Sequence, residues 1–284
     1  MKLRIDAHQH FWNLDKVSYP WLTSKLAPID RTFEAPELEP LLRAAGISKT
    51  VIVQALDAYV DTDYMLDTAA GHDWVGGVVG WVPLDRPDEA AAKLEQYTKN
   101  PVFKGVRHLI HDLADPDWVM HDSVIEGLKV LASFGMTFDY VAVFPNHLKH
   151  LPLLAEKVPD LKIVIDHLAK PPIGKEQSQW TKWQGELAAA ASYPQIYAKI
   201  SGLNTATSNP GSWTADDIRP AIDEAVSLFG ADRVMWGSDW PVALLAGTYA
   251  QVWEETNRAI ASYSEAERDA MLGGTAISFY RMQV

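Results

Sequence analysis

The chain of 284 residues contains no cysteine, so disulfides and thiolate chemistry are both excluded. Positive charge is scarce: 25 Lys and Arg stand against 37 Asp and Glu, a formal charge of −12. A surface that acidic argues against nucleic acid and against anionic membranes, partners that need basic patches. No charge-free apolar run approaches the length of a membrane span. The longest apolar stretch, RVMWGSDWPVALLAG, is broken by Ser238, Asp239, Pro241 and Gly247. The opening MKLRIDAHQH reaches polar residues at once and lacks the apolar core of a secretory leader, so a cytoplasmic protein is the expectation. Linkers, charge blocks and low-complexity segments are missing, and nothing marks a domain boundary within 1–284. No strand candidate is followed by G-x-G-x-x-G, which weighs against a doubly wound dinucleotide fold.

What the chain does have is alternation. Eight short runs rich in Val, Ile and aromatics, bounded by Gly, Pro or Asp, read as strands: 3–8, 50–55, 76–82, 103–109, 137–143, 161–167, 196–201 and 233–238. Helical stretches lie between them. Pro87 suits a first helical turn, and Gly46, Gly135 and Gly230 suit helix ends. Thr214 with Asp217, and Ser264 with Glu267, have the spacing of N-terminal caps. Eight strands alternating with helices predict a single-domain α/β fold, the (β/α)8 TIM barrel.

In such a barrel the chemistry lies at the carboxyl ends of the strands. There the candidate strands carry His8 and His10, Gln54, Arg107 and His108, Asp166 and His167, Lys199 and Ser201, and Ser238 and Asp239. Each has a bland alternative. Strand side chains alternate, so His8 and His10 share a face, while Asp166 points away from His167 and reads as structural. Asp239 in GSDWP suits a turn. Only one of Arg107 and His108 is expected to face the axis. His72, His111, His121, His147 and His150 fall in loops or helices, and most read as ordinary surface residues, while most tryptophans read as core. Trp12, Trp21 and Trp240 lie near strand-end loops and suit a pocket wall.

The segments DAHQHFW, VIVQA, GVVGWVPL, FKGVRHL, IDHLAKP, KISGL and WGSDWPV, in this order, closely resemble the lactonase branch of the amidohydrolase superfamily. That branch includes lactonases acting on L-fuconolactone, L-rhamnonolactone and 2-pyrone-4,6-dicarboxylate. The resemblance covers nearly the whole chain and implies a distorted barrel. Carried over, it assigns His8, His10, His167 and Asp239 to the positions that hold metal in other members of the superfamily. Strand 5 has no histidine, and Lys104 lies near the start of strand 4, so the bridging ligand of a two-metal centre is missing. A single Zn2+ on three imidazoles and a carboxylate is chemically sound. In the lactonase branch the resemblance implies that no metal is required.

The expected reaction is hydrolysis of a sugar-acid lactone, with Asp239 activating water and His8, His10 and His167 polarising the carbonyl. Gln54, Arg107, Lys199, Trp12 and Trp240 are the expected substrate contacts. One strand-end arginine suits a neutral polyhydroxy ring better than a dicarboxylate. The alternatives are a zinc-dependent hydrolase or decarboxylase of the same superfamily, a pyrone or muconolactone lactonase, and a barrel that binds a sugar without chemistry. The partner is a small molecule, and a homodimer is compatible with the sequence.

Overall fold

The computed structural model describes residues 2–284. Eight parallel strands form one sheet in sequence order: β1 (Ile5–Gln9), β2 (Lys49–Val53), β3 (Val75–Gly80), β4 (Phe103–His108), β5 (Thr137–Tyr140), β6 (Ile163–Ile165), β7 (Ile196–Ile200) and β8 (Val234–Trp236). Beyond β8 the chain pairs back onto β1. Asp239 N–H donates to His8 O at 2.8 Å, and His10 N–H donates to Trp240 O at 2.7 Å. These bonds bring the ends of the sheet together, giving the expected (β/α)8 barrel.

Helices α1 (Ala35–Ala45), α2 (Tyr59–Ala70), α3 (Pro87–Tyr97), α4 (Asp122–Ser133), α5 (Leu151–Lys157), α6 (Gln177–Ala191), α7 (Ala215–Phe229) and α8 (Tyr249–Ala259) follow the successive strands. The caps form where the spacing places them. Thr214 with Asp217 makes a capping box at α7, and Ser264 with Glu267 makes one at α9 (Glu265–Asp269). The chain ends in α10 (Thr275–Tyr280). Among the described residues, no helix is long and apolar enough to cross a membrane.

Strands covered on both faces are apolar on both faces. One set of their side chains, including Ile52, Val78, Val106 and Val234, packs against the helices. The other set, Ile5, Ala7, Val51, Val53, Val79, Val164 and Met235, fills the barrel together with Phe279, Tyr280 and Met282. The α10 segment therefore contributes to the barrel's interior.

Several strands stop short of their sequence-expected ends. β5 ends at Tyr140 rather than 143, and β6 at Ile165 rather than 167. The residues just beyond leave the hydrogen-bond ladder and enter the site.

Candidate active site

The carboxyl ends of the strands surround a cavity of about 320 Å³. His10, Arg107, His167 and Asp239 reach its surface, and His8 is buried directly behind them. His8 Nε2 lies 3.1 Å from His10 Nε2. Asp239 Oδ1 lies 3.5 Å from His10 Nε2, and 3.8 Å from the Nε2 atoms of both His8 and His167. Four side chains from three strand ends thus converge, as the sequence pattern implied.

Each imidazole is held from behind. His10 Nδ1 donates to Val53 O at 2.7 Å, and His167 Nδ1 lies 2.9 Å from Ser201 Oγ. His8 Nδ1 receives Lys199 Nζ at 3.0 Å. Burial pushes His8 well below the ordinary histidine range, with Asp166 pulling the other way. Burial also pushes His167 down to about 3, against the pull of Asp239. Both rings are neutral at neutral pH. For Asp239 burial acts upward, but the adjacent His167 and His10 and the Lys170 ammonium outweigh it. They hold the carboxyl well below the usual range. Asp239 Oδ2 is buried and makes no hydrogen bond.

The backbone at two of these positions is unusual. His167, Leu168, Ala169 and Lys170 all have φ between 49° and 59°, a run of four left-handed non-glycine residues. Asp239 has φ 58°. Side chains in that region cost about 1 kcal/mol or more each, and such strain clusters at functional sites. Here it breaks strand alternation, and that overturns the expectation for Asp166. Instead of pointing away, the carboxylate of Asp166 is fully buried, 3.2 Å from His8 Nδ1, 3.1 Å from Lys199 Nζ and 3.2 Å from Arg107 Nη1. The same turn brings Lys170, three residues after His167, into the cavity wall. Its Nζ donates to Thr205 Oγ1 at 3.1 Å.

Three expected substrate contacts fall elsewhere. Lys199 is fully buried behind His8, with Nζ 2.5 Å from Asp139 Oδ2. Gln54 is also buried; its Nε2 donates to Asp57 and to Arg107 O. Trp240 packs edge-on against Phe11 and Phe33 in the core. Arg107 does face the cavity, anchored by Nη2 donating to Gln54 O at 2.6 Å. His108 turns aside, stacked on Trp118 and within 3.1 Å of Asp57. Trp12 and Trp21 line one wall, with Leu26, Val141, Val143 and Val242 adding apolar surface.

Two cavity residues, Lys170 and His111, were not singled out by sequence reasoning. His111 read as a surface residue, but it lies in the wall beside Arg107, and burial pushes it down to about 4. The signal for Lys170 was its position in IDHLAKP, but three-residue spacing from a histidine has meaning only once the left-handed turn is known.

The donor set also bears on metal binding. Among the described residues, ligand atoms of His8, His167 and Asp239 lie within 4.8 Å of one another, and His10 Nε2 adjoins them. Three imidazole nitrogens and a carboxylate oxygen suit one zinc ion. Among the described residues the bridging ligands of a two-metal centre are not assembled beside it: β5 leads into Val141–Val143, and Lys104 Nζ bonds Arg281 O. A second grouping, His8, Asp139 and Asp166, already surrounds the Lys199 ammonium.

Comparison with known proteins gives this geometry a context. The chain is 38% identical to an L-fucono-1,5-lactonase of Burkholderia ambifaria, over 99% of this chain and 97% of that protein. It is 31% identical to an L-fucono-1,5-lactonase of Burkholderia multivorans, over 99% and 96%. A crystal structure of an amidohydrolase from Burkholderia multivorans with bound zinc superposes with a TM-score of 0.92 at 30% identity, covering 99% of this chain and all of that one. The sequence pattern of the amidohydrolase family matches residues 5–282, from the first strand to the last helix, and the chain belongs to that family.

Proposed function

We propose that the protein hydrolyses the lactone of a sugar acid, opening the ring to the hydroxy acid. The observation that carries this reading is the convergence of Asp239 with three imidazoles beneath a cavity that has both an apolar wall and two cations, Arg107 and Lys170. Lactone hydrolysis is acyl transfer to water. It requires a base, positive charge or donors at the carbonyl oxygen, and a proton for the departing ring oxygen.

Asp239 serves the first and last needs. Ionised across neutral pH, it takes a proton from the attacking water. The water oxygen bonds to the carbonyl carbon, and the carbonyl electrons move to its oxygen. When the intermediate collapses, the ring C–O bond breaks and its electron pair stays on the ring oxygen. A carboxyl group with so depressed a pKa is a strong acid once protonated, which suits returning the proton there. The same stabilisation makes Asp239 a weak base, so the first step relies on alignment with the water.

Neutral His8 and His167, together with Arg107 and Lys170, supply the field at the carbonyl. A zinc ion held by His8, His10, His167 and Asp239 would add Lewis acidity there. We read the ion as dispensable, because a lactone carbonyl is more reactive than an amide and needs less polarisation.

The substrate class rests on the two fuconolactonase relatives and on the cavity. Trp21, packed edge-on against the buried Trp12, offers apolar surface to a sugar ring, while Arg107, Lys170 and His111 offer donors to its oxygens. A 1,5-lactone of the L-fucono or L-rhamno type fits this division. Proton release on a panel of aldonolactones, with and without chelator, tests the proposal, and silence on every lactone overturns it. The second reading is a zinc-dependent hydrolase or decarboxylase, favoured by the four-ligand set and the zinc-bound relative. Activity that follows zinc content would establish metal dependence.

A further inference from the structure

We infer that Lys199 is a positioning residue that fixes the proton of His8 on Nε2, making this imidazole a hydrogen-bond donor to the substrate rather than a ready metal ligand. The inference rests on the reading above that His8 acts on a lactone carbonyl. Its geometric basis is independent of substrate.

An ammonium group only donates, and a carbonyl oxygen only accepts. Lys199 Nζ lies 3.0 Å from His8 Nδ1, so Nδ1 presents its lone pair and the neutral ring carries its proton on Nε2. That proton points at His10 Nε2, 3.1 Å away. His10 Nε2 can accept it, because His10 Nδ1 donates to Val53 O at 2.7 Å. Every bond in the sequence Lys199, His8, His10, Val53 then runs in one direction with no conflict. The opposite tautomer of His8 would set an N–H against an ammonium and two bare Nε2 lone pairs against each other.

One group competes. Asp166 Oδ1 lies 3.2 Å from His8 Nδ1 and would draw a proton onto it. That oxygen also lies 3.1 Å from Lys199 Nζ, so the ammonium competes with an Nδ1 proton for it. Lys199 is itself held fast. It is fully buried, and its Nζ lies 2.5 Å from Asp139 Oδ2, which also accepts from Tyr280 Oη at 2.7 Å.

Metal-bound histidines ordinarily donate their other nitrogen to an acceptor, which leaves the metal-facing nitrogen bare. Lys199 reverses that polarity. The arrangement gives His8 a proton to share with an oxyanion, and requires that proton to move before zinc can bind His8 Nε2.

The test is a long-range 1H–15N correlation spectrum of the metal-free, histidine-labelled native protein, with His8 assigned by the loss of its signals in His8→Gln. A pyrrole-type Nε2 and pyridine-type Nδ1 are expected. A protonated Nδ1 in the native protein overturns the inference, whatever the lactone panel shows, and a silent panel beside the expected spectrum overturns only the substrate reading. In Lys199→Met the proton is expected to move to Nδ1, facing Asp166, and the affinity for zinc chloride alone is expected to rise roughly ten-fold or more. An unchanged tautomer or unchanged zinc affinity in that variant overturns it. Should Lys199→Met fail to fold, Asp166→Asn is measured. It keeps Lys199 and is expected to keep the native tautomer, and a swap there assigns control to Asp166 and overturns the inference.

Discussion

A Cβ on Gly202 would lie 2.6 Å from Asp239 Oδ2 and 2.8 Å from His167 Nδ1. Gly202 also has φ +57°, a conformation that strains any other residue here. Its missing side chain leaves room for two site residues at once. Gly202→Ala is therefore expected to lower kcat/KM by about 100-fold through displacement of Asp239 and His167, since an error near 1 Å costs roughly that much. Steady-state assay on an aldonolactone checks it. A variant with native turnover would show that the site tolerates the shift.

Asp239→Asn keeps the shape of the side chain and removes its ability to accept a proton. Turnover is expected to fall about 10²- to 10⁴-fold, with the thermal unfolding profile little changed. Retained turnover would remove Asp239 as the base.

Lys170 is held over the cavity by Thr205 and by a strained turn. If its ammonium faces charge that develops during reaction, Lys170→Met loses about 10²-fold in kcat with a smaller change in KM. Lys170→Arg keeps the charge and is expected to recover part of the loss. A rise in KM alone, equal in both variants, would make Lys170 a binding contact only.

The His108–Asp57 contact gives a pH prediction for stability. Burial lowers His108 from 6.5 to about 4, so the folded state binds fewer protons than the unfolded state between those values. Stability from neutral His108 is complete above the unfolded value and falls as pH drops below it. Burial raises Asp57 from 3.8 to about 6, so its contribution runs the other way and is lost as pH rises through 6. The histidine contribution alone amounts to about 2 kcal/mol between neutral pH and pH near 5. Denaturant unfolding of native and His108→Gln proteins is expected to show the native advantage shrinking by that order over this range. A constant difference would mean that His108 titrates normally.

Chelation is expected to leave lactone hydrolysis within about three-fold of the untreated rate, because Arg107 supplies permanent positive charge, with Lys170 beside it, without an ion. Loss of activity on chelation, restored by zinc, would favour the metal-dependent reading.

The barrel was legible because its strands are short, apolar and evenly interrupted, and because Gly, Pro and capping residues punctuate them. Strand periodicity placed His8, His10, His167 and Asp239 within a larger set of strand-end candidates, and the resemblance to the lactonase branch singled out these four. What periodicity could not show is the geometry after it stops. The left-handed turn at His167–Lys170 inverts the facing of Asp166 and adds Lys170, and neither follows from alternation. Lys199 misled for a related reason. A lysine at a strand end suggests a ligand contact, but Asp139 and Asp166 lie beside it and keep it inside. Those carboxylates come from β5 and the end of β6, and only closure of the barrel brings them together.

The Tyr280–Asp139–Lys199 contact has a consequence for how the molecule is made. Tyr280 follows all eight strands in the chain, yet its hydroxyl reaches Asp139 in the fully buried centre. A nascent chain that has already released β1 through β8 from the ribosome still lacks that partner and the apolar side chains of Phe279 and Met282. A product truncated before the last helix would have every strand and every active-site ligand, but an interior left without its closing apolar and polar partners.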